Sequence, residues 1–140
     1  MPSPATTNGA EAVAHIRTLA LVGPAAAGKT SLAEALLHHA GAITTPGSLE
    51  RGSTVSDFDP LERRMQHSLN AAVMHLQHAD TRVHFIDTPG APDFVGQSLP
   101  ALEAVETAAI VINAVNGIEP MAVRMMDYAA ERQLDRLIIV

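Results

Sequence analysis

The chain has 140 residues, about one domain's worth. Its 47% hydrophobic content is enough for a core and argues against disorder, while a formal charge of −6 argues against broad, non-specific nucleic-acid binding. It has no cysteine, which excludes disulfide frameworks, thiolate zinc sites and cysteine nucleophiles; without a membrane-length apolar run or a basic, apolar leader, the expectation is a cytoplasmic domain with no membrane partner.

Residues 1–14 (MPSPATTNGAEAVA) are small and polar and predict a flexible lead-in, with residues 15–140 as the folded unit. Ile16–Val22 (IRTLALV) is an apolar run of strand length. GPAAAGKT follows, then SLAEALLHHA, whose Leu32, Ala35, Leu36 and Ala40 recur at helical spacing, with Gly41 where a C-terminal cap belongs. Residues 41–70 carry little periodicity and predict a long loop of the functional kind. AAVMHL (71–76) and RVHFI (82–86) predict two strands joined by a turn around His78–Asp80. Residues 93–106 are weakly helical, and Pro100 is expected to kink or split that helix. AAIVINA (108–114) predicts a strand buried on both faces. A helix over 119–132 should turn Ala122, Met125, Met126 and Ala129 inward, and LIIV (137–140) should open another buried strand. The order β-α-β-β-α-β-α-β implies an α/β fold of three layers, α/β/α, around a mostly parallel sheet.

Eight of the nine cations are arginine, and the single lysine, Lys29, stands inside GPAAAGKT. This segment fits the phosphate-loop pattern G-x-x-x-x-G-K-[ST] and sits between a strand and a helix, where that loop must sit. Its backbone N–H groups form a nest aimed at phosphate oxygens, reinforced by the helix N-terminus. The candidate nucleotide-binding residues are therefore Gly23, Pro24, Ala25, Ala26, Ala27, Gly28, Lys29, Thr30 and Ser31. Gly28 lets the backbone approach a phosphate, Lys29 places a point charge between the outer phosphates, and Thr30 offers a hydroxyl to Mg²⁺. Pro24 lacks an N–H but precedes the donating amides, which begin at about Ala26. A second candidate set is Asp87, Thr88, Pro89 and Gly90, with the carboxylate facing Mg²⁺ and the Gly90 N–H within reach of a γ-phosphate. Taken alone, Asp-Thr-Pro-Gly is also ordinary turn chemistry.

GPAAAGKT, the loop segment DFDPLERRMQHSL, DTPGAPDF and AAIVINAVNGIEP occur in an order that resembles the GTP-binding domain of translational GTPases, the elongation factor G-like branch in particular, over residues 16–140. The resemblance implies a P-loop NTPase G domain with strand 71–76 as an antiparallel edge. It implies GTP and Mg²⁺ as cofactors, the ribosome as partner, and GTP-gated action in translation elongation. It implies Lys29 and Thr30 as catalytic residues, Thr30, Ser68 and Asp87 as Mg²⁺ ligands, and residues 41–70 and 87–98 as two switch loops. The family's glycine two residues before Ser68 is Gln66 here, and a solvated loop serine is the competing reading of Ser68.

Three departures bear on activity. The family's water-positioning histidine after DTPG is Ala91, and the phosphate-loop aspartate that helps hold a monovalent cation is Ala26. The guanine-reading Asn-Lys-x-Asp should follow LIIV at once, and the sequence stops at Val140, so the expectation is a G domain truncated before that motif. Two other functions stay open: a non-hydrolysing GTP sensor, favoured by Ala26 and Ala91, and a P-loop ATPase or nucleotide kinase. His75, His78 and His84 could suggest a metal site, but strand residues three apart point to opposite faces. His38–His39 fit a helix C-terminus, Met125–Met126 fit core packing, and Arg63–Arg64 fit a solvated switch loop better than a phosphate or RNA contact.

Overall fold

The computed structural model describes residues 13–56, 59–65 and 68–140. Of the expected lead-in only Val13 and Ala14 fall within these residues, and Asp57, Phe58, Gln66 and His67 lie outside them, as does the side chain of Arg63. Five strands, β1 (Ile16–Val22), β2 (Ala72–His78), β3 (Thr81–Asp87), β4 (Thr107–Val111) and β5 (Asp135–Ile139), form one sheet in the order β2-β3-β1-β4-β5. All neighbours run parallel except β2 and β3, so β2 is the antiparallel edge that the family resemblance implies. The helices are α1 (Lys29–His39), α2 (Pro60–Met65), α3 (Val95–Glu103) and α4 (Pro120–Glu131), with a short 3₁₀ turn at Pro92–Phe94.

Side chains of β1 alternate between two cores, as the period of a strand requires. Ala20 and Val22 pack with Ile110, Leu102 of α3 and Met125 of α4; Leu21 packs on the other face with Phe85, Val111 and Leu37 of α1. The three layers are thus α1, the sheet, and the α3–α4 pair. β4 is buried on both faces, as its continuous apolar run predicts. Parallel pairing of β1 with β3 sets Leu21 opposite Asp87, so the loops leaving both strands emerge side by side at one end of the sheet.

Four expectations change. The inward face of α1 is Thr30, Ala33, Glu34 and Leu37, while Ala35 and Leu36 face outward. Polar residues, Lys29, Thr30 and Glu34, share the buried face with Ala33 and Leu37, so the leucine spacing alone does not give the helix its phase. The expected loop 41–70 contains the helical turn α2. Helix α3 runs unbroken through Pro100, whose ring is exposed; the loss of its single bond to the Gly96 carbonyl is tolerated because Ala101 and Leu102 anchor the helix to the core. Finally, β5 is exposed rather than buried, with Leu137 at 49% and Ile138 at 53%, because it stands at the sheet's edge with β4 as its one paired neighbour.

The phase of α1 gives a direct test. Leu37 is 4% exposed and Leu36 is 36% exposed. Leu37→Ala should cost about 2–5 kcal/mol and Leu36→Ala under about 1 kcal/mol in urea unfolding. Equal losses at the two positions would mean a differently rotated helix.

Candidate functional site

The phosphate loop is built by backbone geometry. Gly23 follows β1 with φ at 138°, and a Cβ there would lie 2.3 Å from the Val111 carbonyl oxygen of β4. Left-handed turns at Ala26 (57°) and Gly28 (94°) belong to the backbone shape in which successive N–H groups converge on one side. A Cβ on Gly28 would meet nothing within 4 Å, so the loop faces open space there, room that a phosphate can take. Asn113, beyond β4, braces the loop from outside: its Nδ2 donates to the Ala26 carbonyl at 3.2 Å, while its Oδ1 accepts the Val115 and Asn116 amides.

Lys29 is 6% exposed, and its Nζ donates to the carbonyls of Gly23 (3.0 Å) and Pro24 (2.7 Å). Burial lowers its pKa from 10.5 to about 8, and the charges of Asp87 and Glu119 offset part of that fall. A Cβ on Gly90 would lie 2.3 Å from this Nζ and 2.5 Å from the Pro24 carbonyl, so the loop after β3 can approach the phosphate loop only as glycine. Thr30 Oγ1 donates to Asp87 Oδ2 at 2.6 Å and lies 3.4 Å from Ser68 Oγ. Three hard oxygen donors from α1, β3 and the segment after α2 therefore converge, a set whose chemistry fits Mg²⁺.

A cleft of about 250 Å³ opens over these groups. Of the residues predicted for the site, Ala25, Ala26, Gly28, Lys29, Thr30, Ser31, Ser68 and Gly90 line it, joined by Leu49 and Ala91. Gly23 and Pro24 stand behind the wall as acceptors for Lys29, Asp87 as acceptor for Thr30, and Ala27 packs into the core beside α1. Thr88 and Pro89, also predicted for the site, are not among the residues that line the cleft. The Thr88 hydroxyl donates to the Leu21 carbonyl at 2.7 Å, and the Pro89 carbonyl accepts the Ser98 hydroxyl at 2.9 Å, so both fix the loop to the fold.

Sequence reasoning missed Asn113 and two buried carboxylates, Glu34 and Glu62. Glu34, one turn after Thr30, accepts the amides of Gly47 (2.7 Å) and Val55 (2.5 Å) and so holds the turn that brings Leu49 to the cleft wall. Its one sequence signal is its place at i+4 from Thr30, on the buried face of α1. His75 and His84 face each other across β2 and β3 with ring centroids 5.7 Å apart, whereas His78 pairs with Thr81 at the hairpin turn. His38, His39 and Arg64 are exposed.

Comparison with known proteins gives a consistent family. The sequence profile of the elongation factor Tu GTP binding domain matches residues 14–140. An elongation factor G-like protein of Mycobacterium tuberculosis is 38% identical over 125 residues, 89% of this chain and 18% of that protein. Peptide chain release factor 3 of Bordetella petrii is 36% identical over 129 residues, 89% of this chain and 24% of that protein. Among solved structures, a protein of Thermus thermophilus superposes with a TM-score of 0.86 at 38% identity, over 89% of this chain and 19% of its own. The chain thus spans about a fifth of the length of the proteins it matches.

The Lys29 environment predicts an unusual pH dependence. Between about pH 8 and 10.5 the folded chain binds fewer protons at Lys29 than the unfolded chain, so this group makes stability rise with pH across that window. At neutral pH its buried charge costs up to about 3 kcal/mol, a cost relieved as the ammonium deprotonates. Urea unfolding at pH 7 and pH 10.5 should show the parent gaining on a Lys29→Met variant as pH rises. A gap between them that does not change with pH would give Lys29 an ordinary pKa.

Proposed function

The chain belongs to the family of elongation factor Tu GTP-binding domains, and from that membership we propose that it binds Mg²⁺–GTP in the cleft beside Lys29, as the GTP-gated domain of an elongation factor G-like translational GTPase. Residues 15–140 are assigned to that single nucleotide-binding unit, and cytoplasmic action on the ribosome in translation elongation is part of the same reading. The observation that carries it is the convergence of a buried lysine, a glycine-built loop and the Thr30–Asp87–Ser68 oxygens on one cleft.

Each part has a separate task. Loop amides from about Ala26 onward bind phosphate oxygens without regard to the base. Lys29, now satisfied by two carbonyls, is poised to exchange them for the outer phosphates. Thr30, Ser68 and Asp87 would hold Mg²⁺, which supplies charge neutralisation to the phosphates when bound. Gly90 lets the loop after β3 lie directly against Lys29, so the first and last parts of the site are in contact. Residues 41–70 and 87–98 would be the switch segments that sense the γ-phosphate.

Hydrolysis also needs water held in line, and at the position directly after Gly90 the cleft is lined by the methyl of Ala91, which cannot orient water. That observation favours a second reading, a GTP-binding sensor that does not hydrolyse unaided. The ATPase or kinase alternative has no such observation behind it.

Calorimetry with Mg²⁺–GTP should show Lys29→Ala losing about thirtyfold or more in affinity, since a charge that meets phosphate in a desolvated nest is removed. Unchanged affinity in a folded variant would refute the phosphate-loop assignment. Single-turnover hydrolysis by the chain alone should run at or below about 10⁻⁴ s⁻¹, and Ala91→His should raise it little without a partner to drive the imidazole into place. Stimulation by ribosomes would support the GTPase over the sensor. A rate near about 1 s⁻¹ without a partner would mean that another residue orients the water.

A further inference from the structure

We propose that Glu62 is a positioning residue for the metal site, its buried carboxylate gathering the loop amides that hold Ser68 against Thr30. The inference rests on the Mg²⁺–nucleotide reading above and extends it to a residue outside the cleft.

Glu62 lies in α2 and is 1% exposed. One carboxylate oxygen accepts the amides of Leu69 (2.9 Å) and Asn70 (3.0 Å), with the Asn70 side chain at 3.5 Å; the other accepts the amide of Asp59 (3.3 Å). Asp59 in turn accepts the Leu61 amide at 2.7 Å, which fixes the start of α2. Ser68 immediately precedes Leu69, and its hydroxyl lies 3.4 Å from Thr30 Oγ1, itself the donor to Asp87. One peptide unit therefore separates the Glu62 clamp from the cluster of hard oxygens. β2 begins at Ala72, so the clamp ties α2 to the entry of the sheet and closes the segment that carries Ser68.

The chemistry requires a carboxylate. Two oxygens accept amides from both ends of the segment, and hydrogen bonds to an ionised acceptor are about twice as strong as neutral ones. Glutamine has nearly the same shape, but its NH₂ can only donate. Either Asp59 or the Leu69–Asn70 pair would then face a donor. Of the described residues in this arrangement only Ser68 lines the cleft, which places Glu62 to act through Ser68.

The test measures how much Mg²⁺ strengthens binding of a non-hydrolysable GTP analogue, as the ratio of affinities in Mg²⁺ and in EDTA. Glu62→Gln should cut that ratio about tenfold, Ser68→Ala should cut it equally, and the double variant no further, while affinities in EDTA stay at the parent value. A general loss of stability would lower the melting temperature without moving the ratio. Lys29→Ala is the control: it should lose affinity with and without Mg²⁺, and if it does not, the nucleotide reading falls and this inference with it. If Lys29→Ala behaves as expected, an unchanged ratio in Glu62→Gln or in Ser68→Ala, or additive losses in the double variant, overturns the inference alone. Should Glu62→Gln not fold, amide exchange in the parent decides. Leu69 and Asn70 should be protected about a hundredfold over unstructured amides in EDTA, and exchange at the unstructured rate would remove the clamp.

Discussion

A lysine ammonium with 6% of its surface exposed is costly to keep charged, and the end of the sheet is arranged around offsetting that cost at Lys29. Its immediate partners are two backbone carbonyls, Gly23 and Pro24, which bend back because the loop leaves β1 through a left-handed glycine. Carbonyls solvate an ammonium less completely than water, and the lowered pKa records the shortfall. An anion in the cleft would make up that shortfall. On the proposed reading the site is charged in advance for phosphate, and close contacts hold it in place: Gly23 against β4, Gly90 against Pro24, and Asn113 against Ala26.

The parts of this arrangement that could be read from the sequence are those dictated by backbone. A glycine at a close approach, a lysine after it and a hydroxyl next to that leave few alternatives, and the strand-to-helix context follows from the same residues. The edge position of β2 and the pairing of β3 beside β1 came with the family pattern. What depends on a neighbour's identity was not legible. Leu36 and Leu37 differ by one position in a helix whose buried face mixes polar and apolar residues, and the docking of Lys29 and Thr30 goes with burial of Leu37. LIIV reads as a doubly covered strand, yet coverage belongs to the elements around it, and β5 is exposed.

The two buried glutamates show another limit. Glu34 and Glu62 bind backbone amides rather than cations, so no complementary charge marks them in the sequence. Their effect is nonetheless large in structural terms. Glu34 fastens Gly47 and Val55, and Glu62 fastens Asp59, Leu69 and Asn70, so both halves of the segment between α1 and β2 hang from carboxylates. A loop held by its own amides is indifferent to most of its side chains. Ser68, next to the Glu62-held amide of Leu69, lies with its hydroxyl 3.4 Å from that of Thr30.

Holding a nucleotide and splitting it make separate physical demands. Holding draws on amides, one cation and a few oxygens, all fixed by glycine geometry and by the Thr30–Asp87 bond. Splitting draws on a side chain that can hold a water in line, and the residue after Gly90 at the cleft wall is Ala91. On the proposed reading, the step that commits the nucleotide to hydrolysis therefore lies with whatever closes over the cleft. On that reading the chain's own contribution would be a preorganised grip, with the two proposed switch segments reporting its state to a partner.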